Sequence, residues 1–350
     1  MNRQICTRVD GELRARTALI RLLCAVSVWR SIMTRVLPLC GASAWWIALL
    51  SLLPGAAIAL LLRSVMALTR TATVSEAVRV CLGRGGATLI SCLLTALLII
   101  DGAASITSLI TLFTEGLGTR GTQLTLAILT GVMLLFCLHR EGLSRAVYFL
   151  RGGMIAAALL VAAFLLPDAR LDSLFPLHGE GSTSTLTALK AGLSIGWPLA
   201  LLLIVPPHRG MGRLRGGVGP VFAAVAAVLL LNLLVPHELL IQQSGLATLL
   251  LLPTRYAPNA LRLLAMCLLM LAFFLAIGAS AQTAASLLSI SWNALPGWVP
   301  YVLLAGMFIT QVADITRLWR LLGMIEPWLL VPLALAAILC LPAALFRRKP

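Results

Sequence analysis

Between Arg262 and Asp314 the chain runs for 51 residues without a charged side chain. In lipid such a run is two helical crossings, because about 20 apolar residues traverse the hydrocarbon. Ser291-Trp292-Asn293-Ala294-Leu295-Pro296-Gly297 supplies the turn between them. Similar runs recur along the chain: 27 uncharged residues at 36–62, 18 at 121–138, 17 at 191–207, 21 at 216–236 and 20 at 327–346. Residues 85–114 are interrupted only by Asp101, and residues 146–166 cross if Arg151 snorkels from near one end. That makes nine spans.

Composition excludes the alternatives. Hydrophobic residues make up 60% of the 350 and charged residues 11%, against roughly 25% charged in an average soluble domain. With a mean hydropathy of +1.00, a soluble enzyme and a disordered chain are both excluded. The net charge of +15 would suit nucleic acid, but the basic residues sit in short clusters between apolar runs, as in the cytoplasmic loops of polytopic membrane proteins.

A tenth span is expected at residues 17–38, which carry Arg21, Arg30 and Arg35. A secretory signal is the alternative there, since Arg3, Arg8, Arg14 and Arg16 precede the apolar stretch. Its uncharged core, residues 22–29, is only eight residues long, and no small-residue cleavage site follows cleanly. Charge bias decides: ten spans with both termini cytoplasmic put 18 of 27 basic residues inside and seven of twelve acids outside. Nine would place the basic N-terminus outside, against the positive-inside tendency. The expectation is an all-α integral membrane protein forming one transmembrane domain over residues 1–350, with five-plus-five inverted repeats at about 17–166 and 186–346.

Secondary transporters of that build bind substrate where helices break near the midplane. The sixth expected span contains such a breaker, Ala191-Gly192-Leu193-Ser194-Ile195-Gly196-Trp197-Pro198. Pro198 has no N–H to donate and disturbs the preceding turn.

Several short motifs stand in a definite order and spacing: Leu37-Pro38 followed by Gly41-Ala42-Ser43-Ala44-Trp45, and Leu166-Pro167-Asp168 through Phe175-Pro176. Ile195-Gly196, Tyr256-Ala257-Pro258 to Arg262, and Pro327-Trp328 to Pro332 before a basic tail complete the set. Together they resemble the GerAB-type spore germination proteins, the B subunits of germinant receptors in the amino acid–polyamine–organocation transporter superfamily, and that resemblance implies a LeuT-like build for the two repeats. The family commonly has glycines in the broken part of span 1, where residues 28–35 here have none. It often has an acid after the span 6 glycine, where Trp197 stands here.

Asp101 is the only acid in the middle of a span. A carboxylate there normally faces the bundle interior, and Ser105 and Ser108 follow it on the same helical face. It suits either a ligand ammonium, proton or cation, or an interhelical pair with Arg30 or Arg35. Arg35 is expected at the headgroups; Arg30, deeper, could meet Asp101 or a ligand carboxylate. Gln282 and Thr283 follow Gly278-Ala279-Ser280-Ala281, and a buried amide needs partners. The resemblance implies a ligand site among spans 1, 3, 6 and 8. The expected ligand residues are Asp101, Ser105, Ser194, Gly196, Trp197, Gln282, Thr283 and Arg30.

No enzyme signature, cofactor motif or metal-ligand cluster is present, and the eight cysteines form no C-x-x-C pair. The resemblance implies a germinant-receptor subunit in the bacterial spore inner membrane. It would bind a small germinant such as an amino acid and signal to an A-type membrane subunit and a lipoprotein C-type subunit. An amino acid permease coupled to protons or sodium is the alternative.

Overall fold

The computed structural model describes residues 2–117, 130–131, 133–134, 142–175, 182–204, 215–234, 258–291, 298–312 and 330–346. All regular structure among them is helical. The chain begins with α1 (Asn2–Ser31), which passes through a π-helical turn at Ile32–Val36, an α-turn at Leu37–Cys40 and a 3-10 turn at Gly41–Ser43 into α2 (Ala44–Thr69). The widening has a local cause. Pro38 has no N–H to place on the helix ladder, and the preceding Leu37 N–H reaches back five residues to the Ile32 carbonyl. Gly41 then takes φ +48°, a conformation that favours glycine, and turns the chain into α2.

Helix α3 (Val74–Leu117) opens on a capping box. The Glu76 N–H donates to Thr73 Oγ1 at 3.3 Å, and the Thr73 N–H donates to Glu76 Oε2 at 3.2 Å. Gly83, at φ +76°, bends it. Beyond lie α4 (Gly142–Leu165), α5 (Ser182–Gly192), a 3-10 segment at Trp197–Leu203, α6 (Arg215–Leu234), α7 (Pro258–Ser291), α8 (Val299–Val312) and α9 (Leu330–Phe346).

Helices α3 and α7 form the most extensive pair, and α1 packs against α4, α6, α7 and the Trp197–Leu203 segment. Small residues let the helices approach. A Cβ added to Gly102 would stand 2.5 Å from Met307 Sδ and 3.4 Å from the Ser280 Cβ. Such small-residue contacts replace the hydrophobic driving force that lipid removes. Leu23, Ile32, Met33, Leu98, Ile106 and Phe273 are fully buried, and Trp29 meets Phe273 edge-on at 6.0 Å between centroids. Leu53, Leu89, Phe149 and Leu159 point outward, an apolar exterior that water would not tolerate and lipid does.

The structure corrects the expectation of ten spans and a LeuT-like inverted repeat. Among the described residues five helical runs are long and apolar enough to cross a membrane: Glu12–Thr69, Val74–Ile110, Gly142–Leu165, Thr183–Leu203 and Leu263–Ser289. The first two expected spans form one continuous 58-residue run, because the turns around Pro38 and Gly41 redirect the helix without opening a loop. The apolar stretches Val221–Leu234, Val299–Phe308 and Leu333–Phe346 are shorter among the described residues and are not counted with those five. Most of the expected span at 121–138 lies outside the described residues. No inverted-repeat topology is displayed by the described elements. Counting uncharged runs measures apolarity, whereas helix boundaries depend on turns that apolarity does not encode.

Candidate functional site

Ser27 and Arg30 stand three residues apart on α1 and therefore share a face. That face meets α3 at Asp101. Arg30 Nη2 donates to Asp101 Oδ1 at 2.7 Å, and the Ser27 hydroxyl donates to Asp101 Oδ2 at 2.5 Å. Both carboxylate oxygens are thus engaged. Arg30 is 3% exposed and Asp101 2%, so the pair is sealed from solvent. Arg30 Nε, also buried, has no hydrogen-bond partner among the described residues. The guanidinium therefore retains a donor that neither Asp101 nor Ser27 uses.

The hydroxyls expected beside Asp101 are turned elsewhere. Ser105 donates to the Asp101 backbone carbonyl at 2.8 Å, and Ser108 to the Ala104 carbonyl at 3.0 Å. Both share the helical face as expected, yet they bond their own helix, the usual recourse of serine in an apolar helix. It is Ser27, from the neighbouring helix, that reaches the carboxylate. Its three-residue spacing from Arg30 puts it on the same face of α1.

A second irregular backbone lies beside α1. The α-helical ladder of α5 ends at Gly192, and from there the chain closes i→i+3 bonds: Ile195 N–H to Gly192 O at 2.8 Å, Trp197 N–H to Ser194 O at 3.1 Å and Leu199 N–H to Gly196 O at 3.1 Å. The expected breaker at 191–198 does break the helix. Cys24 of α1 donates its thiol to the Pro198 carbonyl at 3.0 Å, and Arg35 Nη1 donates to Ser194 Oγ at 3.2 Å. Arg35 was expected to snorkel to headgroups; the structure turns it toward the broken segment instead, where Ser194 is buried. The π-helical turn after Arg30 and the 3-10 segment are thereby tied together.

Gly196 makes the closest backbone approach of this region. A Cβ on Gly55 would stand 2.2 Å from the Gly196 carbonyl oxygen, and one on Gly192 would stand 2.2 Å from Ser51 Oγ. Two small-x-x-x-small pairs, Ser51/Gly55 and Gly192/Gly196, therefore interlock. Trp197 is buried at 3% exposure. On α7, Thr283 is buried and Gln282 half-buried, three and two residues beyond the Ser280 that packs on Gly102 beside Asp101. The structure thus joins Arg30 directly to Asp101, brings Ser194 to Arg35, and assigns Gly196 a packing contact.

Among the described residues no group of three or more His, Cys, Asp or Glu could hold a metal ion. No family model matches the chain. No curated protein matches it in sequence. Among the described residues, fold and site define an all-helical, multi-pass membrane protein of a transporter-like kind, with a buried ion pair beside two interruptions of helical backbone.

Proposed function

We propose that this chain is a GerAB-type membrane subunit of a spore germinant receptor, which binds a small zwitterionic germinant such as an amino acid beside Arg30 and Asp101. The observation that carries the reading is the Arg30–Asp101–Ser27 cluster set against interrupted backbone. Burying an ion pair in an apolar bundle yields little net stability compared with apolar packing of the same volume. Intramembrane ionisable residues ordinarily mark functional paths. Irregular backbone in a membrane helix is tolerated where protein, water or a ligand satisfies its polar groups. Arg30 Nε is the donor left for a ligand carboxylate, and a ligand ammonium would take the place of the Ser27 hydroxyl on Asp101 Oδ2. The order and spacing of the motifs from Leu37-Pro38 to Pro332 support the family placement.

In this reading the A-type and lipoprotein C-type subunits of the receptor read the ligand-induced change in the spore inner membrane, both chain termini being cytoplasmic. A ligand can bias such an equilibrium only through different affinities for the two states. The test is germination of spores in which this chain belongs to the one functional receptor. Asp101→Asn should shift the germinant dose-response by tenfold or more, compared at membrane abundance matched to the wild type. An unshifted curve at normal abundance overturns the ligand role of Asp101. Robust uptake by the purified chain alone in liposomes would make it a permease instead.

A further inference from the structure

The broken segment is held to the chain of α1 and its π-helical turn at two points, one on either side of the Asp101 cluster. Three residues before Ser27, Cys24 donates its thiol to the Pro198 carbonyl at 3.0 Å. Five residues after Arg30, Arg35 Nη1 donates to Ser194 Oγ at 3.2 Å. The two ties differ in kind. A thiol is a weak donor, whereas a guanidinium makes charge-assisted bonds roughly twice as strong as neutral ones. The Ser194 end is also locked by packing, since Gly196 lies backbone to backbone on Gly55. Past Pro198, residues 199–204 are wholly apolar and buried, and apolar contacts are non-directional. Cys24 therefore supplies a directional but weak tie at the Pro198 end.

Cys24 and Ser27 share a face of α1, and α1 is unbroken α-helix from Asn2 to Ser31. A rotation of α1 that withdraws Ser27 from Asp101 Oδ2 therefore withdraws Cys24 from Pro198 as well. Arg35 is set apart from that rotation. It lies beyond Ser31, inside the π-helical turn at Ile32–Val36, and its long side chain has the reach to keep Ser194. We propose that the Asp101 cluster governs the Cys24–Pro198 bond: when Ser27 leaves Asp101, Cys24 releases the Pro198 end of the segment while Arg35 holds the Ser194 end. The inference rests on the germinant reading only for what opens the cluster, a ligand ammonium on Asp101; the linkage itself needs no ligand. Coupling between sites is reciprocal, so a partner that draws the Pro198 end away from α1 weakens the hold of Ser27 on Asp101.

The experiment is alkylation of the full chain, purified in detergent, by N-ethylmaleimide, with each modified cysteine quantified by mass spectrometry of peptides. Cys24, Cys40 and Cys340 are fully buried, so all three should label slowly in the wild type. Asp101→Asn should speed labelling of Cys24 about tenfold or more, and Ser27→Ala severalfold, with Cys40 and Cys340 unchanged. Amide exchange in the same variants should rise over residues 199–204 and hold over residues 195–197. Should Asp101→Asn fail to fold, Ser27→Ala, which keeps the ion pair, decides alone. Unchanged labelling of Cys24 overturns the proposal. Equal acceleration at all three cysteines is general loosening and overturns it too, as does exchange that rises equally over 195–197 and 199–204. Release of Cys24 in the variants, with no amino acid stabilising the wild type, supports the linkage and tells against the germinant reading instead.

Discussion

Gly55 of α2 and Gly196, which caps the 3-10 segment, meet backbone to backbone: a Cβ on Gly196 would lie 2.8 Å from the Gly55 Cα and 3.0 Å from the Leu52 carbonyl oxygen. Real Cβ atoms do not approach so closely, and the atoms in the way are main chain, which cannot rotate aside. Gly55→Ala should therefore push the broken segment off α2 and cost about 1–3 kcal/mol or more, the usual range for overpacking. Thermal unfolding in detergent checks it. Gly153→Ala, whose added Cβ meets nothing within 4 Å, should leave the midpoint within a degree or two or raise it slightly.

Asn232 ties α6 to the turn between α1 and α2. Its buried Nδ2 donates to the Ala42 carbonyl at 3.1 Å and the Gly41 carbonyl at 3.4 Å. Asn232→Ala removes both bonds, and side-chain hydrogen bonds between membrane helices contribute about 0.6–2 kcal/mol. The variant should lose stability in that range. Hydrogen exchange at Ala42 and Ser43 should accelerate, while exchange within α7 stays unchanged.

Arg70 ends α2 in the left-handed conformation, at φ 54° and ψ 33°, with its N–H on the Met66 carbonyl. A residue with a Cβ is strained there, and glycine is the usual occupant. Arg70→Gly should raise stability by about 0.5–1 kcal/mol, the roughly 1–2 kcal/mol cost of a non-glycine residue in this conformation less the greater unfolded-chain entropy of glycine. A fall in the unfolding midpoint would mean that the Arg70 side chain makes a contribution larger than the strain.

The Arg30–Asp101 pair predicts strong non-additivity. Removing either partner leaves the other buried and uncompensated, which costs about 3–5 kcal/mol. Arg30→Met and Asp101→Leu should each be severely destabilising, and the double variant should recover most of the loss. Midpoints of all four proteins in one detergent give the coupling directly. Additive losses would mean that the two charges do not share one site.

Part of this was legible in the sequence, and the division has physical causes. Asp101 stood out because an isolated acid in an apolar run must face inward, and Arg30 was one of two cations able to answer it. The break at Gly192 to Pro198 was legible because proline and glycine change backbone chemistry locally. The direction of the Ser105 hydroxyl is not legible, because sharing a face with Asp101 does not decide where a hydroxyl turns and its own helix supplies a near acceptor. Ser27 and the Arg35–Ser194 contact depend on how α1 is rotated against α3 and the 3-10 segment, which is set by packing among distant residues. The span count failed for a related reason. Apolarity sets where lipid is tolerated, whereas Pro38 and Gly41 decide whether a helix turns back or continues.

The central claim is that Arg30, Asp101 and Ser27 form a ligand site, and ligand-induced thermal stabilisation of the purified chain tests it most directly. A ligand at about 100 times its Kd adds about 2.7 kcal/mol to the folded state. Screened against L-amino acids, the wild type should show a clear upward shift with at least one. Ser27→Ala, which removes one hydrogen bond and leaves the ion pair in place, should weaken that shift severalfold at a similar ligand-free midpoint. Asp101→Asn should abolish it. Stabilisation of the same size in wild type, Ser27→Ala and Asp101→Asn would contradict the account, as would no stabilisation by any amino acid.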